Sequence, residues 1–466
     1  MLRDRYEPRE LLKLVPYMNL ALEPELQELD RLLDADELFA RVKADLVRRS
    51  PHTATRGRYS TPVEVILRLL IIKRLYGWSY EETERFVRDS LILRQFCRVY
   101  WEGVPDDTTL IRWAQLVGPE TLQAVNERVV ALARALKVTR GRKLRVDSTV
   151  VETHIHHPTD SGLLCDGVRV VSRLLRRAKA VVGQAVGVGQ AVFRTRTRSA
   201  RRVVQRLHRL ARAQGAEAEA AVRQAYEQLL TIVRQSQGQA QRVCRVLRTQ
   251  SGEQVQRLVQ RFTQVLPRVE RVVSQTTRRV LRGESVPASE KLLSLFEPPT
   301  QILQRHKPGR GVECGCKLWL DEVEGGIVSR YVLVPGAGTD HAQLAGSLAG
   351  HKTRFGRAPW LVAGDRGVAS ADNEALAKKA GVKRIVLPRK GKLSAQRRWH
   401  ERQRWFRRGF RFRAGIEGRI SVLRRRFRLA RCLEHGAAGL GRWVGWGIVT
   451  HNLAQIARQQ VVRQTR

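Results

Sequence analysis

Cysteine is scarce in this chain, six in 466 residues and widely scattered. That excludes a disulfide framework and points to a reducing compartment. Long apolar runs are missing too, so no segment reads as a membrane-spanning helix, and Met1–Glu10 (MLRDRYEPRE) does not read as a secretory signal. Acids are few: 44 Asp and Glu stand against 86 Lys and Arg, a formal net charge of +42. Positive charge spread along the whole chain calls for a polyphosphate partner, whereas a membrane-surface protein would gather it on amphipathic helices. Hydrophobic residues, 42% of the total, suffice for a sizeable core and two or three domains. The expectation is a soluble protein inside the cell that binds nucleic acid.

The first fifty residues read as helical, with amphipathic spacing over Leu26–Leu46. Thr61–Leu75 (TPVEVILRLLIIKRL) is a strong helix that Thr61 can cap, with Pro62 in its first turn. A Gly-containing turn at Tyr76–Trp78 leads to a helix over Tyr80–Arg88, with Ser79 and Glu82 spaced as a capping box. Asp106–Thr109 starts another helix through Trp113. Short helices with tight turns fit a helix-turn-helix-like DNA-binding region or an ordinary helical bundle.

At Lys143–Thr153 (KLRVDSTVVET) β-branched residues take over and a strand is expected. Asp147 lies among valines there, costly unless partnered, or else at a strand edge or in a turn with Ser148 and Thr149. Residues from about Gly167 to Pro299 are Arg- and Gln-rich, and Val255, Leu258, Val259, Phe262, Leu266, Val269 and Val273 recur at helical spacing. This predicts a helical, coiled-coil-like insertion, kinked or interrupted at Pro267 and broken near Gly215, Gly238 and Gly252. Strands resume at Cys316–Glu322 and Ile327–Val334 around a Glu324-Gly325-Gly326 turn. His341–His351 and Asp372–Ala380 read as helices, Trp360–Ala363 and Arg384–Leu387 as strands. The alternation implies an α/β fold with one mixed sheet.

Phe410–Arg424 (FRFRAGIEGRISVLR) carries the sharpest pattern. On a helix, Phe410, Arg413, Glu417 and Arg424 fall within roughly 60° of one another, and Ile416, Ile420, Leu423 and Phe427 form an apolar stripe alongside. One carboxylate between arginines suits a cation beside a polyanion, or is simply a solvated surface Glu. With Asp147, and Asp365 just past a strand, it makes three acids whose convergence would suit hard divalent cations with oxygen ligands.

Phe410-x2-Arg413-x3-Glu417-x6-Arg424 resembles the Tyr-x2-Arg-x3-Glu-x6-Lys signature of the DDE transposases of bacterial insertion sequences, with Phe for Tyr and Arg for Lys. Leu144–Thr149 (LRVDST) and Val362–Gly367 (VAGDRG) look like that family's two aspartate sites, and Pro158–Leu164 and Pro335–Leu344 also look familial. The N-terminal region Tyr59–Trp113 resembles the helical domain ahead of that core, and the insertion is similar to those of an ISNCY-type group. The resemblance implies an RNase H-like mixed-sheet core with an N-terminal all-α domain and a long all-α insertion. The expected parts are an N-terminal DNA-binding domain over 1–138, the core over 139–166 and 306–440, the insertion over 167–305, and a C-terminal helical tail over 441–466.

It further implies metal-dependent cleavage at element ends and strand transfer into target DNA, with Asp147, Asp365 and Glu417 holding two Mg²⁺ or Mn²⁺ ions. Arg413, Arg424 and Phe410 would lie against the DNA. The partners would be terminal inverted repeats, target DNA and further copies of the chain, in a bacterial cytoplasm near the nucleoid. A catalytically silent DNA-binding derivative and an RNase H-like nuclease without strand transfer are the alternatives. Other polar groups carry less. His154, His156 and His157 lack the spacing of a complete zinc site, Cys314-x-Cys316 has no second pair, and Glu152 falls on the opposite strand face from Asp147. Asp321, Glu322, Asp340 and Asp372 compete with Asp365 for the second acid.

Overall fold

The computed structural model describes residues 2–7, 21–34, 36–48, 52, 59–182, 190–212, 214–307, 310–336 and 338–465. The helical reading of the first fifty residues therefore extends over 1, 8–20, 35 and 49–50, which lie outside the described residues, as does position 337 of Pro335–Leu344. The helices of the N-terminal region are α1 (Pro24–Leu33), α2 (Asp36–Val47), α3 (Val63–Tyr76), α4 (Tyr80–Asp89), α5 (Leu91–Phe96), α6 (Asp107–Leu116) and α7 (Pro119–Ala135). Strand β1 (Lys143–Glu152) follows, then α8 (Asp160–Val182), α9 (Thr197–Leu210), α10 (Ala216–Arg248) and α11 (Glu253–Thr276). The chain continues through β2 (Gln301–Lys307), β3 (Arg310–Val323), β4 (Ile327–Val334), α12 (Leu344–Phe355), β5 (Leu361–Ala363), α13 (Ala371–Lys379) and β6 (Arg384–Val386). It ends with α14 (Ala395–Arg402), α15 (Arg404–Arg425) and α16 (Gly436–Gln464). Among the described residues no helix is long and apolar enough to cross a membrane.

The chain divides into two compact units, Met1–His154 with Cys316–Arg466, and Ile155–Gly315. In the first, the strands stand in the order β4-β3-β1-β5-β6, with β1, β5 and β6 parallel and β3 antiparallel to β4. Alternation along the strands divides the side chains between two faces. Leu144, Val146, Trp319 and Val362 join the core built by the N-terminal helices and α12. Leu318 and Leu320 meet Leu423 and Phe427 on the other face, where Leu361 and Ala363 meet Phe406. Thus α15 lies across the odd-numbered face of β1, the face that carries Asp147.

Local chemistry sets the element ends. Ser79 accepts from the Glu82 amide at 3.0 Å while Glu82 accepts from the Ser79 amide at 2.7 Å, the expected capping box. Ser79→Ala should cost about 1 kcal/mol in urea unfolding, and a loss below about 0.3 kcal/mol would show that packing rather than the cap holds this turn. The cap expected of Thr61 is not made: α3 starts at Val63 with Pro62 at its N-cap and no side-chain bond, because Pro62 already fixes the entry backbone. Gly325 and Gly326 turn β3 into β4 with φ of +84° and +76°, a region closed to most side chains. The edge strand β4 is covered: Asn452 of α16 bonds both the Val328 amide (2.9 Å) and its carbonyl (2.8 Å). Helix α16, expected as a tail, is buried along most of its length and packs on α1, α3, α7 and β4.

The second unit is a bundle in which α8 packs on α9, α10 and α11, and α10 on α9 and α11. Neither Pro267 nor Gly238 interrupts its helix. Helix α11 runs through Pro267, because Val255, Leu258 and Phe262 before it and Val269, Val272 and Val273 after it all enter one core, outweighing one lost backbone bond. Helix α10 runs through Gly238, where an added Cβ would meet open space; the propensity cost of about 1 kcal/mol is carried by Val233, Ala240 and Val243 in the same core. Gly215 and Gly252 do mark breaks, as the N-caps of α10 and α11. A strand the sequence pattern hid, β2, pairs antiparallel with the start of β3 through Gln301↔Gly315, Ile302↔Cys314 and Leu303↔Glu313.

Candidate active site

Helix α15 is clamped to the sheet by charge as well as apolar contact. Arg145, on the same strand face as Asp147, grips Glu322 with Nε at 2.9 Å and Nη2 at 2.6 Å, and its Nη1 donates to the Phe412 carbonyl at 2.6 Å. Arg419 donates to the same carboxylate at 3.1 Å. The approach depends on glycine. A Cβ at Gly415 would stand 2.3 Å from Arg145 Nη1, and one at Gly409 would stand 2.5 Å from Val386 Cγ2. Ile416 and Leu423 are buried as the apolar stripe requires, Ile420 partly.

Strand pairing brings the two aspartates level. The parallel register runs Lys143↔Leu361 to Arg145↔Ala363, so Asp147 and Asp365 each lie two residues past the last pair, Asp147 midway along β1 and Asp365 just past the carboxyl end of β5, the end where open α/β sheets place their ligands. Asp147 accepts from its neighbour's amide, Ser148 N, at 2.8 Å and from Arg413 Nη2 at 2.8 Å. The other end of that guanidinium, Nη1, donates to Glu417 at 2.8 Å. Arg413 therefore bridges the strand acid to the helix acid, while its Nε is buried without a partner. Asp365 Oδ1 caps its own turn, accepting from Gly367 N at 2.9 Å and Val368 N at 3.1 Å. Asn373 fixes that turn by donating to the Val368 carbonyl at 2.7 Å and the His341 carbonyl at 3.0 Å. Asp340 accepts from Ser148 Oγ at 3.0 Å and pairs with Lys317 at 3.2 Å.

Burial above all raises the Asp147 carboxyl to about 6; Arg413 and the Ser148 amide oppose the rise, and Asp365 and Asp340 add to it by repulsion. Folding thus favours the protonated acid. The stability this contributes is complete below the ordinary value of 3.8 and is lost as the pH climbs through about 6. That gap corresponds to roughly 3 kcal/mol as an upper bound. We expect Asp147→Asn to match wild type at pH 4 in EDTA and to exceed it at pH 7.5 in urea unfolding. A variant less stable than wild type at pH 7.5 would contradict this.

The structure brings Asp147, Arg413 and Glu417 into one bonded chain and sets Asp365 and Asp340 close enough to act on Asp147. As they stand, no three acidic, His or Cys side chains among the described residues could hold a metal ion; the Arg413 guanidinium is the cation between Asp147 and Glu417. Glu417 itself is 67% exposed, and Phe410 on the same stripe is exposed. Arg424 is held to β1 by the Val150 carbonyl at 2.8 Å. Among the competing acids, Asp321 is buried against Trp319, Ser347 and Arg330, and Glu322 against Arg145 and Arg419. Both are structural. Ser148, Lys317 and Asn373 also bond to groups of this site. Ser148 had a signal, standing next to Asp147, but Lys317 and Asn373 reach the site only through tertiary pairing. All six cysteines are free thiols.

No curated protein and no solved structure matches this chain. Residues 9–116, which carry the helices from α1 to α6, match the family described as Transposase domain (DUF772), and over that stretch the chain is similar to a transposase domain.

Proposed function

We propose that the chain is a DDE-type transposase that cuts DNA at the ends of a mobile element and joins the freed ends to target DNA. The transposase-domain match supports a role in transposition. The observation that carries the finer reading is the carboxylate pair joined by one arginine, Asp147–Arg413–Glu417, beside Asp365 just past the neighbouring parallel strand. A mixed sheet with one acid on its central strand, a second level with it and a third on a crossing helix supports an RNase H-like core.

The donor set fits a hard divalent cation: all oxygen, from three elements, with Asp147 repelled by its acidic neighbours and steadied by a guanidinium in the cation's place. Asp147, Asp365 and Glu417 would hold it. The chemistry supplied by bound Mg²⁺ or Mn²⁺ is activation of the attacking oxygen and stabilisation of the leaving one in phosphodiester displacement. The protein's own part is placement. Arg145 and Arg419 fix α15 through Glu322, Asn373 fixes the Asp365 turn, and Arg413 keeps the acids together until a cation replaces its charge. Water first hydrolyses the bond at the element end, freeing a 3′-hydroxyl. That hydroxyl then attacks a target phosphodiester, forming one P–O bond as another breaks. The excess of arginines holds the DNA backbone and makes binding steeply salt-dependent.

The test incubates the full chain with DNA carrying the flanking element ends, with Mg²⁺ or with EDTA, and resolves nicked, excised and joined products. Metal-dependent cutting and joining is expected. Binding without cutting favours a silent DNA-binding derivative, and cutting without joining favours a nuclease; either result overturns the proposal.

A further inference from the structure

A second site lies within the same unit, between the α3–α4 turn, α6 and the start of α16, and the acid cluster plays no part in it. It is a cavity of about 530 Å³, within the usual range for small-molecule sites. Lys73 lines it and is only 9% exposed. Its ammonium stands 4.1 Å from the ring centre of Tyr80 and 5.9 Å from that of Trp443. Among the described residues it has no hydrogen bond or ion pair.

The neighbouring charges are already engaged. Arg74 stands 4.0 Å from the Trp443 ring centre and donates to the Trp443 carbonyl at 2.7 Å. Arg428 donates to the Gly77 carbonyl at 2.7 Å. Of the two lining acids, Glu434 is paired with Arg442 at 3.0 Å and Glu82 completes the Ser79 capping box. Lys73, Arg74, Arg428 and Arg442 outnumber them, so the wall is net positive. Burial, and then Arg74, pull the Lys73 amine down to about 7 against the opposing pull of Glu434 and Glu82. A largely desolvated ammonium in contact with rings, with both lining acids committed to other groups, is costly until an anion joins it.

We propose that this cavity binds the 5′-phosphate of a nucleotide, the phosphate on Lys73 and the nucleoside along the apolar wall of Trp78, Ile111 and Leu433. A compact ammonium serves an oxyanion as a point charge, and the cavity is much larger than an inorganic phosphate requires. The nucleotide could be free or the first residue of a DNA strand, the phosphomonoester being common to both. The assignment stands apart from the transposase reading, and either can fail without the other.

The test is calorimetric titration of the full chain with dAMP. Three variants accompany wild type: Lys73→Met, Leu433→Asp at the exposed rim, and Arg257→Ala, a charge-matched control in the other compact unit. One site is expected, weakened about tenfold or more in Lys73→Met, the worth of one hydrogen bond to a charged group. Leu433→Asp weakens it by repulsion and Arg257→Ala leaves it unchanged. Should Lys73→Met fail to fold, the rim variant decides. Competition by an oligonucleotide with a 5′-phosphate, and not by the same strand with a 5′-hydroxyl, assigns the site to a DNA end. dAMP binding with no competition from either strand assigns it to a free nucleotide. No dAMP binding, equal binding by wild type and Lys73→Met, an unaffected rim variant, an equal loss in Arg257→Ala, or equal competition by both strands overturns the proposal.

Discussion

Asp147→Ala, Asp365→Ala and Glu417→Ala should each lower the rate of metal-dependent cleavage by at least about 10³-fold while DNA binding stays within about threefold. Such a loss is about 4 kcal/mol of barrier. Its cause would be local, since Asp147 is anchored by its own strand and Glu417 is 67% exposed on a helix held elsewhere. Residues that act as one unit are not additive. The double variant Asp147→Ala/Glu417→Ala should therefore cut no more slowly than the worse single variant. Single-turnover cleavage of a labelled end, with a parallel binding titration, checks both statements. Losses that multiply would mean that the two acids work separately, against the bridged arrangement through Arg413.

Glu322→Ala should destabilise the first compact unit by about 3 kcal/mol in urea unfolding, because it leaves two partly buried guanidiniums without a counter-charge. The Glu322 side chain is 1% exposed and carries Arg145 and Arg419 together, at 2.6 Å and 3.1 Å. Glu322→Gln keeps the shape and should lose less. Both variants should lower cleavage beyond what their folded fraction explains, since Arg145 also holds α15 through the Phe412 carbonyl. Unchanged stability in Glu322→Ala would show that apolar contacts alone hold α15 in place.

The spacing of charged and apolar residues on α15 was legible because a helix repeats at a fixed angle. Arg413 and Glu417 sit one turn apart, and the bond between them follows from that alone. The partnership of Arg413 with Asp147, 266 residues away, is tertiary, and no local pattern announces it. The strand around Asp147 was visible in its β-branched run. Asp147 standing level with Asp365 was not, since parallel register is set across a crossover. Helices continue through Pro267 and Gly238 for a common reason: a shared core outweighs local propensity at both positions. Glu322, a competitor for the second acid, is the counter-ion of Arg145 and Arg419, a role that only strand alternation against α15 reveals.

The central claim, that these acids form one divalent-cation centre, is tested most directly by counting bound Mn²⁺ by electron paramagnetic resonance on the metal-free chain. The account predicts saturable binding to wild type that is lost in Asp147→Asn and in Asp365→Asn, with both variants folded. Equal Mn²⁺ binding by wild type and both variants would contradict it.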